Sequence, residues 1–430
     1  MIRKTGLWCL LIITMASACT PNKYLTKAFR QTEKDFHDHV GFVLYDPAVG
    51  KTIFDHQGER YFTPASNTKI FTLYASLKLL GDSIPALRYV TSTDSLIFWG
   101  TGHPGFLYED TWQDTVVYKF LKARPEPLIF SSSNFQTDAF GPGWSWDDYM
   151  YYFQVERTSL PVYGNLAKVK KLENAFLAHP HVFDFAINSV TSPGKTSTMV
   201  RGKESNLLTY RQGLVDRPKQ WEVPIHVTDD IVARMLKDTL AKEVAVVNKK
   251  MPPYARTLYA PAPDSLYKVM MVESDNFIAE QLLLVCAGVV SDTLKPEIAI
   301  RYVKKNFLAD LPDEPVWVDG SGLSRYNLFT PRSIVALWAK IDTMVPRERL
   351  FQLLAVGGKS GTLKNYYKAD KPYIFGKTGT LSNNHALSGY LVTKQGHPLI
   401  FSWMNNNFVA TNAEVRGKME EILKWIYEKY

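Results

Sequence analysis

The sequence predicts an α+β fold: an antiparallel sheet built from both ends of the chain, flanked by helices, with a mostly β region inserted after the first core helix. Three observations carry this. Strand-like alternation opens the mature chain at GFVLYD (41–46) and KTIFDH (51–56), and returns near its end at YIFGKTGT, ALSGYLVT and PLIFSWMNN. Helical periodicity fills most of 228–343. Between them, 84–225 reads as short β-like segments separated by turn residues: LRYVTS, SLIFWG, EPLIFSS, HVFDFAINSV and QWEVPIHV, with GPGWSWDD among the turns. The expected organisation is a targeting segment at 1–19, a core made of 20–83 and 226–430, and the inserted region at 84–225.

Arg3 and Lys4 form a positive head, Gly6 to Met15 a short apolar core, and Ala16-Ser17-Ala18 a cleavage site. Cys19 follows, and ASAC resembles a bacterial lipoprotein box, which implies a lipid on Cys19 and a membrane anchor. Ordinary cleavage after Ala18 fits the same residues. The apolar run is too short to span a bilayer permanently. A polar lead-in precedes the first strand. PASNTKIFTLYASLKLLG (64–81) reads as a helix with Pro64 in its first turn and Gly81 closing it. TDDIVARMLKDTLAKEV (228–244) is an amphipathic helix capped by Thr228 or Asp229, and further helical patterns cover 264–290, 296–307 and 331–343. NAEVRGKMEEILKWIYEKY closes the chain as a helix.

Composition excludes several classes. The 430 residues are 46% hydrophobic and 21% charged, ordinary for globular domains, and the net charge of +8 is spread along the chain. KVKK (168–171) and NKK (248–250) are the densest basic patches and read as solvated faces. No zinc-type spacing, phosphate loop or nucleic-acid motif occurs, so no metal, cofactor or nucleic acid is expected. The charge suits an anionic polymer or membrane surface. With Cys9 in the leader and Cys19 committed to lipid, Cys286 remains as a small core residue, and no disulfide is expected.

Ser66 and Lys69 stand three apart at the head of the 64–81 helix, a nucleophile beside a base. The tetrad alone is weak, because Ser192–Lys195 and Ser265–Lys268 repeat it. Two further clusters separate them. Ser274-Asp275-Asn276 precedes a helix, and Lys377-Thr378-Gly379-Thr380 lies on a predicted strand. Ser192 is followed by Pro193-Gly194, which cannot begin a helical turn, and Ser265 heads the helix leading into Ser274. S-x-x-K, S-D-N and K-T-G together are the signature of penicillin-binding proteins and serine β-lactamases.

The resemblance extends further. DGSGLSRYNLFTPRSIVAL (319–337), GPGWSWDDYMYYF (141–153) and the GTL repeated at 361–363 and 379–381 are similar to the D-alanyl-D-alanine carboxypeptidase/endopeptidase family, the low-molecular-mass class C penicillin-binding proteins. The likeness covers roughly 40–410. The long gap between Lys69 and Ser274 fits a family with domains inserted there. GTGHPGF (100–106) departs from the pattern, with His103 where the family usually carries Asp.

The resemblance implies a penicillin-binding-protein/β-lactamase-like core and an acyl-enzyme on Ser66, with Lys69 as base and Ser274 passing a proton to the departing amine. A lysine serves as a base only when neutral, which burial and a second cation, Lys377, would favour. Asn276 would hold the substrate amide. Lys377, Thr378 and Thr380 would bind its terminal carboxylate. Gly379 would let its backbone lie along the strand, and the Ser66 and Thr380 N–H groups would form the oxyanion hole. Asp148, with Phe153 five residues on, matches the acid that the family aims at the amino group of a diaminopimelate side chain; a turn-capping Asp is the plain alternative. The implied substrates are peptidoglycan stem peptides, with β-lactams as covalent inhibitors and a periplasm-facing location. Two rivals remain. A class A β-lactamase needs a Glu to drive deacylation, and KLENAF (171–176) is the nearest candidate. A binding or sensor protein would be acylated or occupied without turnover.

Overall fold

The computed structural model describes residues 20–430 apart from 112–114, 174, 184–186 and 262, so the leader and Cys19 lie outside the described residues. The chain forms two compact units. Of the described residues, the first comprises those up to Asn67, Asp310–Trp317 and Asn327–Tyr430; the second comprises those within Thr68–Ala309 and Val318–Tyr326.

The first unit is built on a six-stranded antiparallel sheet. Its order is Ala355–Val356, Ile374–Leu381, Asn384–Val392, Pro398–Asn406, His39–Asp46 and Lys51–His56. The first and last strands in sequence therefore pair within it, fourth and fifth in the order, with Phe42 opposite Trp403 and Leu44 opposite Phe401. Because side chains alternate along a strand, Leu399, Phe401 and Trp403 face one layer of helices. That layer is the closing helix Asn412–Lys429, begun by a capping box between Thr411 and Glu414, and a helix at Thr20–Phe36. The second of these replaces the expected polar lead-in. Leu25 and Phe29, four apart, are fully buried, and Phe29 stacks on Phe42. So few apolar anchors among so many polar residues leave a weak periodic signal, which only the docked partner makes decisive. The opposite face of the sheet receives the helix Pro331–Met344, capped by Thr330 and tied by Trp338 Nε1 donating to Ser388 Oγ at 2.9 Å.

The second unit combines helices with three sheets. Four helices, Lys69–Leu79, Asp264–Val272, Asn276–Ser291 and Pro296–Phe307, pack together, and Asn276–Ser291 buries eleven consecutive residues from Phe277 to Ala287. A helix apolar on every side must lie inside a domain. Cys286 is within it, with burial pushing its thiol up to about 12. A five-stranded mixed sheet runs in the order Val244–Val246, Leu128–Phe130, Leu96–Gly100, Ile84–Thr91, Arg256–Ala260. Two three-stranded sheets complete it: Ile187–Thr191, Leu208–Gln212, Thr198–Arg201, and Gln220–Pro224, Leu166–Lys171, Phe176–His179. The β-rich texture read at 84–225 is thus present, with one short helix at Val116–Lys122.

Candidate active site

Ser66 does not lie inside an α-helix as the periodicity suggested. It sits on a 3-10 turn, Ala65–Thr68, which passes into the α-helix at Lys69. The turn is tight: Asn67 N–H donates to the Pro64 carbonyl at 3.1 Å, and Ala65 is held at φ 48°. A non-glycine residue at positive φ costs on the order of 1 kcal/mol or more, so surrounding contacts must impose it. Ser66 remains partly exposed between buried neighbours. The helix ends at Leu79, with Leu80 already extended, so Gly81 does not close it.

The first unit, taken by itself, contains the strand Ile374–Leu381. Lys377 is fully buried, and its Nζ donates to the carbonyl of Thr378 at 2.7 Å. Asn67 joins this strand to the Ser66 turn. Its Nδ2 donates to the Lys377 carbonyl at 3.1 Å, and its Oδ1 accepts from Ser388 Oγ at 2.5 Å. At Gly379 a Cβ would come within 2.6 Å of the Pro64 carbonyl and 2.8 Å of the Ser66 nitrogen. Only a residue without a side chain permits that approach. Thr378 Oγ1 donates to Thr362 Oγ1 at 2.7 Å, so the first GTL segment meets the residue just before the second. Thr380 is exposed, with His385 Nδ1 at 2.8 Å from its hydroxyl.

The second unit, taken by itself, contains Lys69, Ser274 and Asn276. Lys69 is fully buried; its Nζ donates to Asn276 Oδ1 at 2.5 Å and to the Ser321 carbonyl at 2.7 Å. Burial pushes its pKa down to about 8, against the opposing pull of Asp275, Asp319 and Glu280. Lys195 and Lys268, in the two rival tetrads, are both exposed and on no such cluster. Ser274 occupies the break between two helices at φ 66°, a second strained backbone position. Asp275 caps the following helix by accepting from Ile278 N–H at 2.7 Å, and its other oxygen accepts from the Tyr108 hydroxyl at 2.7 Å. Asn276 Nδ2 donates to the Phe153 carbonyl at 2.8 Å, which brings the 141–153 segment to the S-D-N turn.

The 319–326 loop explains how the Lys69 cluster is held. Asp319 accepts from the Gly322 and Ser324 N–H groups and, at 2.9 Å, from Trp144 Nε1. Glu280 accepts from Ser321 N–H at 2.7 Å and pairs with buried Arg157 at 3.5 Å. Burial and the neighbouring Asp319 push Glu280 up to about 7. Glu280, Arg157 and Asn67 carried no assigned role in the sequence. A carboxylate inside AEQLLLVCA, an otherwise apolar helical run, was the available signal. Asp148 begins a short 3-10 turn, is half-buried, and its carboxyl is raised by desolvation and by Asp147. The residue before it, Asp147, holds the N-cap position of that turn without a side-chain cap. Phe153 stacks on Tyr151. His103 is buried, its N–H directed at Thr101 Oγ1. Among the described residues no cluster of metal ligands occurs, and no helix is long and apolar enough to cross a membrane.

Comparison with known proteins agrees with the fold. The chain is 23% identical to D-alanyl-D-alanine carboxypeptidase DacB of Haemophilus influenzae, over 90% of this chain and 89% of that protein. It is 24% identical to the D-alanyl-D-alanine carboxypeptidase of an Actinomadura species, over 85% and 77%. The crystal structure of penicillin binding protein 4 (dacB) from Haemophilus influenzae matches with a TM-score of 0.74 at 20% identity, covering 93% of this chain and 98% of that one. The same protein complexed with a novel β-lactam matches with a TM-score of 0.68 at 18% identity, again over 93% and 98%. With its family profile matched over residues 23–429, the chain belongs to the D-Ala-D-Ala carboxypeptidase 3 (S13) family.

Proposed function

We propose that this serine-type D-Ala-D-Ala carboxypeptidase/endopeptidase works through an acyl-enzyme on Ser66. The observation that carries the reading is Lys69: a fully buried lysine, hydrogen-bonded to Asn276 of the S-D-N turn and lowered to about 8, three residues after a partly exposed serine. At that pKa a usable fraction is neutral near pH 7 and can take the Ser66 proton. Ser66 Oγ adds to the penultimate D-Ala carbonyl of a peptidoglycan stem peptide. The carbon–nitrogen bond breaks, Ser274 relays a proton to the leaving amine, and water releases the acyl group. Gly379 lying against the Ser66 amide supports an oxyanion hole made by the Ser66 and Thr380 N–H groups, where one donor is typically worth ~3 kcal/mol. Lys377, Thr378 and Thr380 bind the terminal carboxylate, Asn276 holds the substrate amide, and Asp148 beside Phe153 receives the cationic end of the stem-peptide side chain. β-Lactams acylate the same serine, in keeping with the β-lactam complex of the Haemophilus protein. Lipid on Cys19 anchors the mature chain to a bacterial membrane facing the periplasm.

The test is labelling of the mature protein by a fluorescent penicillin, beside Ser66→Ala, with peptide mapping of the adduct. Loss of label in the variant and an adduct on Ser66 are expected. Label persisting at Ser192 or Ser265 would overturn the assignment, and no label on a folded wild type would favour a binding protein without turnover. Palmitate incorporation in cells, lost in Cys19→Ala, tests the anchor.

A further inference from the structure

Thr380 is the penultimate residue of the Lys377 strand, and its hydroxyl is met by two groups of the same unit. Arg416, from the helix Asn412–Lys429, donates from Nη2 to Thr380 Oγ1 at 3.3 Å, and His385 Nδ1 lies 2.8 Å from that oxygen. A threonine hydroxyl offers two lone pairs and one proton. Arg416 takes one lone pair and His385 Nδ1 engages one further position, so one of the three remains for a group outside the protein. His385 is buried and kept neutral by desolvation, so Arg416 is the charged one of the two groups at this hydroxyl.

Arg416 is also a cation without a counter-charge. Among the described residues it forms no ion pair. Its guanidinium lies over the Tyr366 ring at 5.5 Å, and its Nε is buried without a hydrogen-bond partner. The nearest acids along its own helix are occupied elsewhere, Glu414 by Thr411 and Glu420 by the Tyr367 N–H. An arginine stays charged at any working pH, so the free charge beside Thr380 is permanent.

We propose that Arg416 is a specificity-determining residue that selects substrates whose leaving amine carries an α-carboxylate, acting beside and through Thr380. This rests on the reading of the Lys377–Thr380 strand as the carboxylate-binding strand. Peptides ending in D-Ala carry such a carboxylate, and so do cross-links whose amine belongs to an α-amino acid centre. Donors in which that carboxylate is amidated, esterified or absent are disfavoured.

The experiment compares acylation of the mature protein by benzylpenicillin and by its methyl ester, followed by intact-protein mass spectrometry. The penicillin carboxylate sits on the carbon next to the lactam nitrogen, where the substrate's α-carboxylate would sit. Arg416→Gln is expected to lower the second-order rate with the acid about 10- to 100-fold, as for loss of a charge-assisted contact. The ester rate should change less than about twofold, and so reports intact folding. Arg416→Lys, which keeps the charge but not the fork, is expected to fall between, and it carries the test should Arg416→Gln not fold. Equal loss with acid and ester in a folded variant, or an unchanged acid rate, would overturn the proposal. Failure of wild type to be acylated by either compound would instead overturn the acyl-serine reading on which it rests.

Discussion

The Lys377 strand and the Lys69 helix each bury a lysine completely, and they do so by opposite means. Lys377 Nζ turns back to the carbonyl of the next residue, and the threonines on either side of Gly379 are steadied by Thr362 and His385, close by in the chain. Lys69 Nζ reaches Asn276 and Ser321, 207 and 252 residues away. Behind those partners stand Glu280, Arg157, Asp319 and Trp144, themselves drawn from three separated stretches of chain. The Lys377 cluster is a local motif on a sheet. The Lys69 cluster exists only once distant loops have closed around it. A buried charge must be satisfied somewhere, and where no neighbour in sequence can do it, long-range partners must.

That contrast can be broken by substitution. The largest effect is expected at Lys69→Met, which removes the base: acylation by penicillin should fall about 10²–10⁴-fold. Stability should not fall with it. Lys69 has a folded pKa of about 8 against 10.5 when unfolded, so between those values the unfolded chain binds more protons and stability rises with pH. Below pH 8 the charged form is buried at a cost, and the Met variant should unfold at the same urea concentration as wild type or higher at pH 7. A clear drop in both rate and stability would mean that Lys69 is chiefly structural.

Gly379→Ala comes next. The added methyl would meet backbone atoms of Pro64 and Ser66, which cannot move aside as a flexible side chain can. A loss of about 10²–10³-fold in acylation is expected, comparable to removing one oxyanion donor. The wild-type pH profile sharpens the comparison further. Acylation should rise roughly tenfold per unit on the acid side and level near pH 8, as Lys69 loses its proton. A profile flat from pH 6 to 9 would exclude Lys69 as the titrating base. The smallest change is expected at Thr362→Val. It removes one partly buried hydroxyl–hydroxyl contact worth about 1 kcal/mol, for a fivefold loss at most, read as KM rather than kcat on a D-Ala-D-Ala peptide.

Much of this was legible beforehand. The strands at both ends of the chain, the helix capped at Thr228, and the S-D-N turn before a helix all follow from short-range chemistry. The helix at Thr20–Phe36 was not, because Leu25 and Phe29 supply too thin a stripe until the sheet covers them. Ser66 was read into the α-helix, whereas Ala65 at positive φ makes a tighter turn that no periodicity encodes. Within the site, Lys377 to Thr380 could be read from one segment. Asn67, Glu280 and Arg157 could not, since their roles consist of partners far off in sequence.

By itself, the sequence determined which residue types stand together on one turn or one strand: Ser66 with Lys69, Ser274 with Asn276, and Lys377 with Thr378, Gly379 and Thr380. Helical and strand periods settle such neighbours without further help. Tertiary structure decided which of three identical tetrads holds a buried lysine, because desolvation belongs to the packed domain and to no tetrad alone. It also placed Arg416 beside Thr380, an encounter between a closing helix and a strand that only the assembled sheet brings about.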